Sequence, residues 1–159
     1  TTLFIGSFDG ADGLVYRTTN SGKTYFEPTE AGSQALNSIV LSPAYEQDNS
    51  LIVGTTNGWV YWSDDNGASF EPLPPDAASA PLTDSISVAF DTQFSSNSTV
   101  YAASDTQSAG IYRFTIDTDT EWENIDSPTD ATIEQVEVSA DGTLYATNSK
   151  ADSLSLIHI

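Results

Sequence analysis

The chain has 159 residues and a formal net charge of −19 at pH 7, because Lys and Arg total 4 while Asp and Glu total 23. A field of this sign repels phosphate backbones, so we predict no nucleic-acid partner. The sequence has no cysteine, which excludes disulfides and thiolate metal sites, and no apolar run approaches the roughly 20 residues that span a bilayer. This composition is typical of a secreted or cell-surface protein, and we predict an extracellular or surface location.

Short apolar segments recur along the chain in a fixed order. One kind of segment starts at residues 3, 51, 100 and 144. A second kind follows the first three of these, at 15–16, 60–61 and 111–112. A third kind precedes the last three of them, at 38–41, 86–90 and 133–138. No window keeps a helical period, so we predict short strands and almost no helix. Asn57-Gly58 and Asp141-Gly142 lie between such segments and are typical of tight antiparallel turns.

A polar motif follows the third predicted strand in two of the units. A hydroxyl residue and an amide or carboxylate residue can accept hydrogen bonds from backbone amides that a tight turn leaves unpaired. A glycine can take a positive φ, and an aromatic residue re-enters the sheet as an apolar anchor. We predict a structural role for all of these residues, which are Thr18, Asn20, Gly22, Thr24 and Tyr25 in the first unit and Ser63, Asp65, Gly67, Ser69 and Phe70 in the second.

Two copies of this motif in the same strand context resemble the Asp-box, also called the bacterial neuraminidase repeat (BNR), of β-propellers in the sialidase-like and sortilin-like superfamily. The resemblance implies four-stranded antiparallel blades with the Asp-box turn between strands three and four. A repeat of about 40–50 residues with four strands is also typical of a propeller blade. The third unit keeps only an aromatic residue, Trp122, after a longer turn. We therefore predict an all-β fold, a partial β-propeller, with a closed sandwich of the same strands as the alternative.

The repeat divides residues 1–153 into incomplete blades at 1–28 and 132–148 and full blades at 36–73 and 85–125. Because propellers close with about four blades or more, we interpret the chain as a fragment of a larger bacterial or archaeal surface protein. Unpaired strand edges should make the isolated segment unstable or prone to associate. Residues 154–159, which include the only histidine, do not continue the repeat and look like the translation of a sequencing-adapter end.

Catalytic groups are scarce in this sequence. The resemblance raises sialidase activity, but those enzymes bind the substrate carboxylate with three arginines and use a tyrosine nucleophile, whereas this chain has only Arg17 and Arg113. The alternating acids from Asp117 to Glu121 suggest a calcium loop but lack its glycine and distal glutamate, so we interpret them as a solvated turn. We predict no catalytic residue, cofactor or metal site, and the resemblance implies that Asp-boxes lie away from catalytic centres.

Any ligand face is expected at the end of the blades opposite to the Asp-box turns. That end carries longer loops, rich in Pro, Ala, Ser and Asp, at 7–13, 29–35, 74–84, 104–110 and 126–132. Trp62 is a candidate aromatic platform for a sugar, with packing between blades as the alternative. We predict a non-catalytic scaffold or a protein- or glycan-binding module. The alternative is part of a sialidase-like or xyloglucanase-like glycoside hydrolase whose catalytic residues lie partly outside this segment.

Overall fold

Residues 1–148 and the backbone of residues 155–157 are described by a computed structural model. They form four antiparallel sheets in chain order. The first holds β1 (Leu3–Phe8), β2 (Gly13–Thr18) and β3 (Thr29–Glu30), and the second holds β4 (Leu36–Leu41), β5 (Leu51–Thr55), β6 (Val60–Ser63) and β7 (Glu71–Pro72). The third holds β8 (Ile86–Phe90), β9 (Thr99–Ser104), β10 (Gly110–Thr115) and β11 (Glu123–Asp126), and the fourth holds β12 (Ile133–Val138), β13 (Leu144–Asn148) and β14 (Ser155–Ile157).

Strands that follow one another in the sequence lie next to one another in every sheet. The turns at Asn57-Gly58 and Asp141-Gly142 join β5 to β6 and β12 to β13, as their sequences indicate. Gly58 and Gly142 have φ values of 88° and 87°, in the left-handed region where a Cβ would be strained. The second and third sheets therefore each hold the complete four-stranded unit that the repeat predicts.

Neighbouring sheets pack face to face, and the alternation of side chains along each strand decides which residues meet. On β5, Leu51 and Val53 pack with Val15 and Ala31 of the first sheet, while Ile52 belongs to the core shared with the third sheet. Because both faces of β5 are covered, all five of its residues are buried. Four sheets stacked in chain order through apolar faces make the chain a partial β-propeller.

The core between the second and third sheets is closed at its outer side by Trp122. This side chain packs on Phe114, with ring centroids 5.1 Å apart, and its Nε1 donates a hydrogen bond to the Leu73 carbonyl at 2.9 Å. Ile52 and Val60 are fully buried in the same core, and each such aliphatic side chain contributes about 1.5–3 kcal/mol by leaving water. The tryptophan thus joins the outer strand of one sheet to the next sheet.

Helices α1 (Tyr45–Asp48) and α2 (Phe94–Asn97) connect the first two strands of the second and third sheets. With four residues each, they agree with the prediction of almost no helix. Local features differ from the sequence predictions at two places. The first sheet extends to Glu30, beyond the boundary at 28. β14 pairs with β13 although the repeat predicts no strand there. The origin of residues 154–159 stays a prediction, and His158 lies outside the described residues.

Both helices are single turns. Among the described residues, no helix is long and apolar enough to cross a membrane.

Candidate functional site

The two turns whose sequences resemble an Asp-box are called the Asp-box turns for that resemblance alone. The first joins β2 to β3 and is closed by hydrogen bonds between side chains and backbone. The Thr18 hydroxyl donates to Asn20 Oδ1 at 2.9 Å and accepts from the Gly22 amide at 3.2 Å. Asn20 Oδ1 also accepts from the Thr24 amide at 3.0 Å, and Asn20 Nδ2 donates to Thr24 Oγ1 at 2.8 Å. Gly22 has a φ of 83°, which lets the chain turn back towards the sheet. Tyr25, the aromatic residue after the turn, is exposed.

The second Asp-box turn, between β6 and β7, repeats this geometry with a carboxylate in place of the amide. The Ser63 hydroxyl donates to Asp65 Oδ1 at 2.8 Å and accepts from the Gly67 amide at 2.9 Å. Asp65 Oδ1 also accepts from the amides of Ala68 at 2.8 Å and Ser69 at 2.9 Å, and Asp65 Oδ2 accepts from the Ser69 hydroxyl at 2.6 Å. The motif residues of each unit are therefore brought together within one turn.

The carboxylate of Asp65 is held ionised by the turn that it closes. Partial burial acts to raise the pKa of Asp65, but the hydrogen bonds from Ser69, Ser63 and Ala68 outweigh it and hold that pKa below its ordinary value. Such a carboxylate is a good acceptor and a poor proton donor at neutral pH. Phe70 then packs into the core between the first two sheets. This geometry supports the structural role predicted for the motif.

The turn between β10 and β11 lacks the motif and is closed by a carboxylate that the sequence reasoning missed. Asp119 Oδ2 accepts a hydrogen bond from the Thr115 amide at 2.6 Å, and Asp117 has a φ of 64°. The signal in the sequence was the position of Asp119, shortly after the end of a strand, where short polar side chains commonly close turns. Among the described residues, no group of three His, Cys, Asp or Glu side chains is placed to hold a metal ion.

The Asp-box turns lie at the same end of the sheets as the two helices. The Tyr45 hydroxyl of α1 donates to the Asn66 side chain in the second turn, and the Asn66 amide donates to the Asn49 carbonyl at 3.0 Å. In the third sheet, the Ile116 amide donates to the Ser98 carbonyl, just after α2, also at 3.0 Å. This end of the molecule is built from short turns that are bonded to one another.

The opposite end carries loops that are bonded to the connection into the next sheet. The Gly58 amide donates to the Asp84 carbonyl at 2.8 Å, and the Ser108 amide donates to the Ala131 carbonyl at 2.8 Å. Within the third sheet, Thr106 Oγ1 donates to Asp84 Oδ2 at 2.8 Å. These bonds fix the loops relative to one another, so this end offers a set of ordered loops on a rigid scaffold.

One of the loops predicted for that end begins elsewhere. Residues 74–77 line a cavity of about 230 Å³ together with Asp119 and Thr120, which belong to the turn between β10 and β11. Only the later part of the loop, near Asp84, lies with the other loops. The outer strand β7 has only two residues, and the Trp122 indole holds the Leu73 carbonyl. The chain therefore leaves the second sheet beside the turn of the third sheet.

Trp62, the candidate sugar platform, is half-buried on β6, directly before the second Asp-box turn. It packs against the core between the second and third sheets, and its Nε1 is buried with no hydrogen-bond partner among the described residues. Its position is at the Asp-box end, away from the loops where a ligand is expected. This placement favours the alternative interpretation, in which Trp62 packs between blades.

The two arginines lie on different sheets and do not converge. Arg113 forms an ion pair with Glu123 at 2.6 Å on the third sheet. On the first sheet, the guanidinium carbon of Arg17 lies 4.7 Å from the ring centroid of Phe26. These two cationic groups thus have separate partners close in sequence or on the same sheet, and they do not form a common site.

No protein-family model matches the sequence. No curated protein matches it either. Among solved structures, the crystal structure of a GH74 enzyme from Niastella koreensis is similar to the chain, with a TM-score of 0.70 and 19% sequence identity. The similarity covers 96% of this chain and 25% of that enzyme, so the chain spans about a quarter of the enzyme's length. At this identity the comparison shows the fold alone, and by its fold the chain is part of a β-propeller.

Proposed function

We propose that this chain is part of a non-catalytic, extracellular or cell-surface β-propeller that binds a protein or glycan through the loops opposite to the Asp-box turns. The loops at the end opposite to the Asp-box turns carry the proposal. At the Asp-box end, polar side chains such as Asp65 are used in closing turns. At the other end, loops bonded to one another, as at Gly58 and Asp84, present exposed side chains such as Gln107. Proteins commonly place binding residues on such loops.

The carboxyl groups with a shifted pKa act as hydrogen-bond acceptors within turns. Hydrogen bonds from the amides of Asp12 and Ala11 lower the pKa of Asp9, and a hydrogen bond from the Ser139 hydroxyl is the main cause that lowers the pKa of Asp141 to about 2. A glycosidase general acid instead needs a carboxyl group whose pKa is raised. Within residues 1–148, the carboxyl groups with a shifted pKa are all shifted downward, which suits acceptors in turns.

Part of a glycoside hydrolase is the second candidate, because a GH74 enzyme shares the fold. In that case the catalytic carboxyl groups would lie partly on blades outside this segment. Glycoside hydrolysis needs two carboxyl groups about 5–10 Å apart on either side of the scissile bond. The extracellular location is proposed for both candidates from the strongly acidic composition.

Mapping of ligand contacts by amide chemical shifts tests the binding proposal. The probes are xyloglucan oligosaccharides, β-glucan oligosaccharides, sialyllactose and a short basic peptide, each titrated into the labelled chain. We expect at least one probe to shift amides in the loops at 104–110 and 126–132, because hydrogen bonds join these loops and some of their side chains, such as Gln107, are exposed. The amides of α1 and of the Asp-box turns should stay unchanged.

A matched pair of glutamines provides the control. Gln107 lies in the loop between β9 and β10, and Gln47 lies in α1 at the Asp-box end, and both are exposed. Gln107→Ala should weaken binding of the active probe several-fold, whereas Gln47→Ala should leave it unchanged. Shifts confined to the Asp-box end, or a larger effect of Gln47→Ala, would show that the ligand face is placed at the wrong end. No shift with any probe would also count against the proposal.

A further inference from the structure

Asparagine followed by glycine occurs twice in the chain, at Asn57-Gly58 and at Asn66-Gly67. Such a pair is chemically labile, because glycine has no side chain to keep its amide nitrogen away from the carbonyl group of the preceding side chain. Attack of that nitrogen forms a cyclic imide and releases ammonia, which is the first stage of deamidation. The second pair lies within an Asp-box turn, which has no part in the proposed binding function.

The amide of Gly67 is held by a hydroxyl group of its own turn. Ser63 Oγ accepts a hydrogen bond from this amide at 2.9 Å, and both residues are buried. A buried N–H group that donates a hydrogen bond resists transfer of its proton to water, and it can reach the preceding side chain only after that bond is broken. The bond to Ser63 therefore opposes the first chemical step.

Asn66 is also held, at both its side chain and its backbone. The Tyr45 hydroxyl donates to Asn66 Oδ1, and the Asn66 amide donates to the Asn49 carbonyl at 3.0 Å. Its φ of 66° lies in the left-handed region, which asparagine tolerates better than most residues. Closure of an imide ring requires the side chain to turn onto the next amide, so these contacts with α1 and its end oppose closure as well.

We infer that Asn66 is a protected deamidation site, and that the Ser63 hydroxyl of the Asp-box turn provides the protection. When the turn opens, the Gly67 nitrogen loses its proton to solvent and bonds to Asn66 Cγ. The Cγ–Nδ2 bond breaks, and Nδ2 takes a proton from solvent and leaves as ammonia. Water then adds to one of the two imide carbonyl groups and opens the ring to aspartate or isoaspartate.

Either product would keep the turn from closing as before. Both products place a new negative charge next to Asp65, whose carboxylate closes the turn. Isoaspartate also adds a carbon atom to the backbone between residue 66 and Gly67, which displaces the Gly67 amide from Ser63 Oγ. Deamidation at this site therefore removes the hydrogen bond that protected it.

The other pair provides a reference site within the same chain. The Gly58 amide donates to the Asp84 carbonyl at 2.8 Å, and Asn57 Oδ1 accepts from the Thr55 hydroxyl at 2.7 Å. Neither bond involves Ser63. The deamidation rate of Asn57 thus reports opening of the fold as a whole, whereas the rate of Asn66 also reports local opening of the second Asp-box turn.

Incubation of the full 159-residue chain in mildly alkaline buffer, followed by mass spectrometry of chymotryptic peptides, tests the inference. Trp59 and Trp62 lie between the two asparagines, so cleavage after them places the two sites in separate peptides. In the native chain, Asn66 should deamidate at least about tenfold more slowly than in urea. Ser63→Ala should raise the native rate at Asn66 about fivefold, which is the effect of one hydrogen bond, and leave the rate at Asn57 unchanged.

Ser69→Ala is the matched control within the same turn. It removes a hydroxyl that donates to Asp65 but leaves the Gly67 amide bonded to Ser63. The rate at Asn66 should therefore stay close to that of the wild type. Equal acceleration by Ser63→Ala and Ser69→Ala would mean that any loosening of the turn exposes the site, and it would overturn the inference.

Ser63→Thr should retain the protection, because the Thr18 hydroxyl accepts the Gly22 amide at 3.2 Å in the first Asp-box turn. An increase at Asn66 in this variant as large as in the alanine variant would contradict the role of the hydroxyl. Equal acceleration at Asn57 and Asn66 in the alanine variant, or a native wild-type rate at Asn66 that matches the rate in urea, would also overturn the inference.

Discussion

Gly58→Ala is expected to destabilise the fold by about 3–4 kcal/mol. Gly58 has a φ of 88°, and a Cβ there would overlap the carbonyl oxygen of Leu82 and lie 2.5 Å from its carbonyl carbon. Because these are backbone atoms, the loop must move as a whole. The movement would break the hydrogen bonds from Gly58 to Asp84 and from Leu82 to Gly58, at 2.8 and 3.2 Å. Strain of about 1–2 kcal/mol and two lost hydrogen bonds at about 1 kcal/mol each give a loss of about 3–4 kcal/mol.

Gly10→Ala separates the cost of backbone strain from the cost of the clash. Gly10 has a φ of 103°, but a Cβ there would meet nothing within 4 Å. The control should therefore lose only about 1–2 kcal/mol, which is the cost of the left-handed conformation. Urea denaturation followed by tryptophan fluorescence measures both variants. Equal losses would mean that the loop at Leu82 does not hold the β5–β6 turn as described.

Asp65→Ala is expected to lower the free energy of unfolding by about 1–2 kcal/mol. The substitution removes the acceptors for the amides of Ala68 and Ser69 and for the hydroxyls of Ser63 and Ser69. Water replaces part of these bonds because the turn is exposed, so the loss is smaller than four isolated hydrogen bonds would give. Urea denaturation at neutral pH is the measurement.

Asp65→Asn is the conservative control, because Asn20 already performs this task in the first turn with its Oδ1 at 3.0 Å from the Thr24 amide. The amide variant should lose at most about half of what the alanine variant loses. Folding lowers the pKa of Asp65 below 3.8, so its ionised form stabilises the fold above that value, and this contribution fades as pH falls through the lowered pKa. Wild type should therefore lose more stability than Asp65→Asn in strong acid. Equal stability of all three proteins at neutral pH would contradict the structural role.

The strands and the Asp-box turns were open to prediction because their signals are local and repeated. A buried run such as residues 51–54 between turn residues indicates a strand, and its recurrence gives the number of strands in each sheet. The hydrogen bonds of Ser63 and Asp65 follow from residue chemistry in a tight turn. The positions of the helices at Tyr45 and Phe94 could not be predicted, because one turn of helix leaves no period in the sequence.

Features that depend on packing between sheets could not be predicted from local pattern. The sequence leaves open whether Trp62 is a sugar platform or packs between blades, whereas the structure half-buries it against a larger core. In the same core, the Trp122 indole donates a hydrogen bond to the Leu73 carbonyl. Residues 74–77 therefore lie beside the turn between β10 and β11. Strand order alone predicts which loops lie opposite to the Asp-box turns. It does not predict how these loops are bonded, such as the hydrogen bond from the Ser108 amide to the Ala131 carbonyl.

Hydrolysis of a panel of sialosides and β-glucans by the purified chain tests the central claim most directly, namely that this segment is a binding module without catalysis. Sialidase chemistry would need three converging arginines, and Arg17 and Arg113 lie on separate sheets with their own partners. An open arc of sheets would also leave a pair of carboxyl groups in water, where their electrostatic effect is weak. We expect no turnover above the blank. Turnover that one Asp or Glu substitution abolishes, in a variant with unchanged unfolding free energy, would contradict the account.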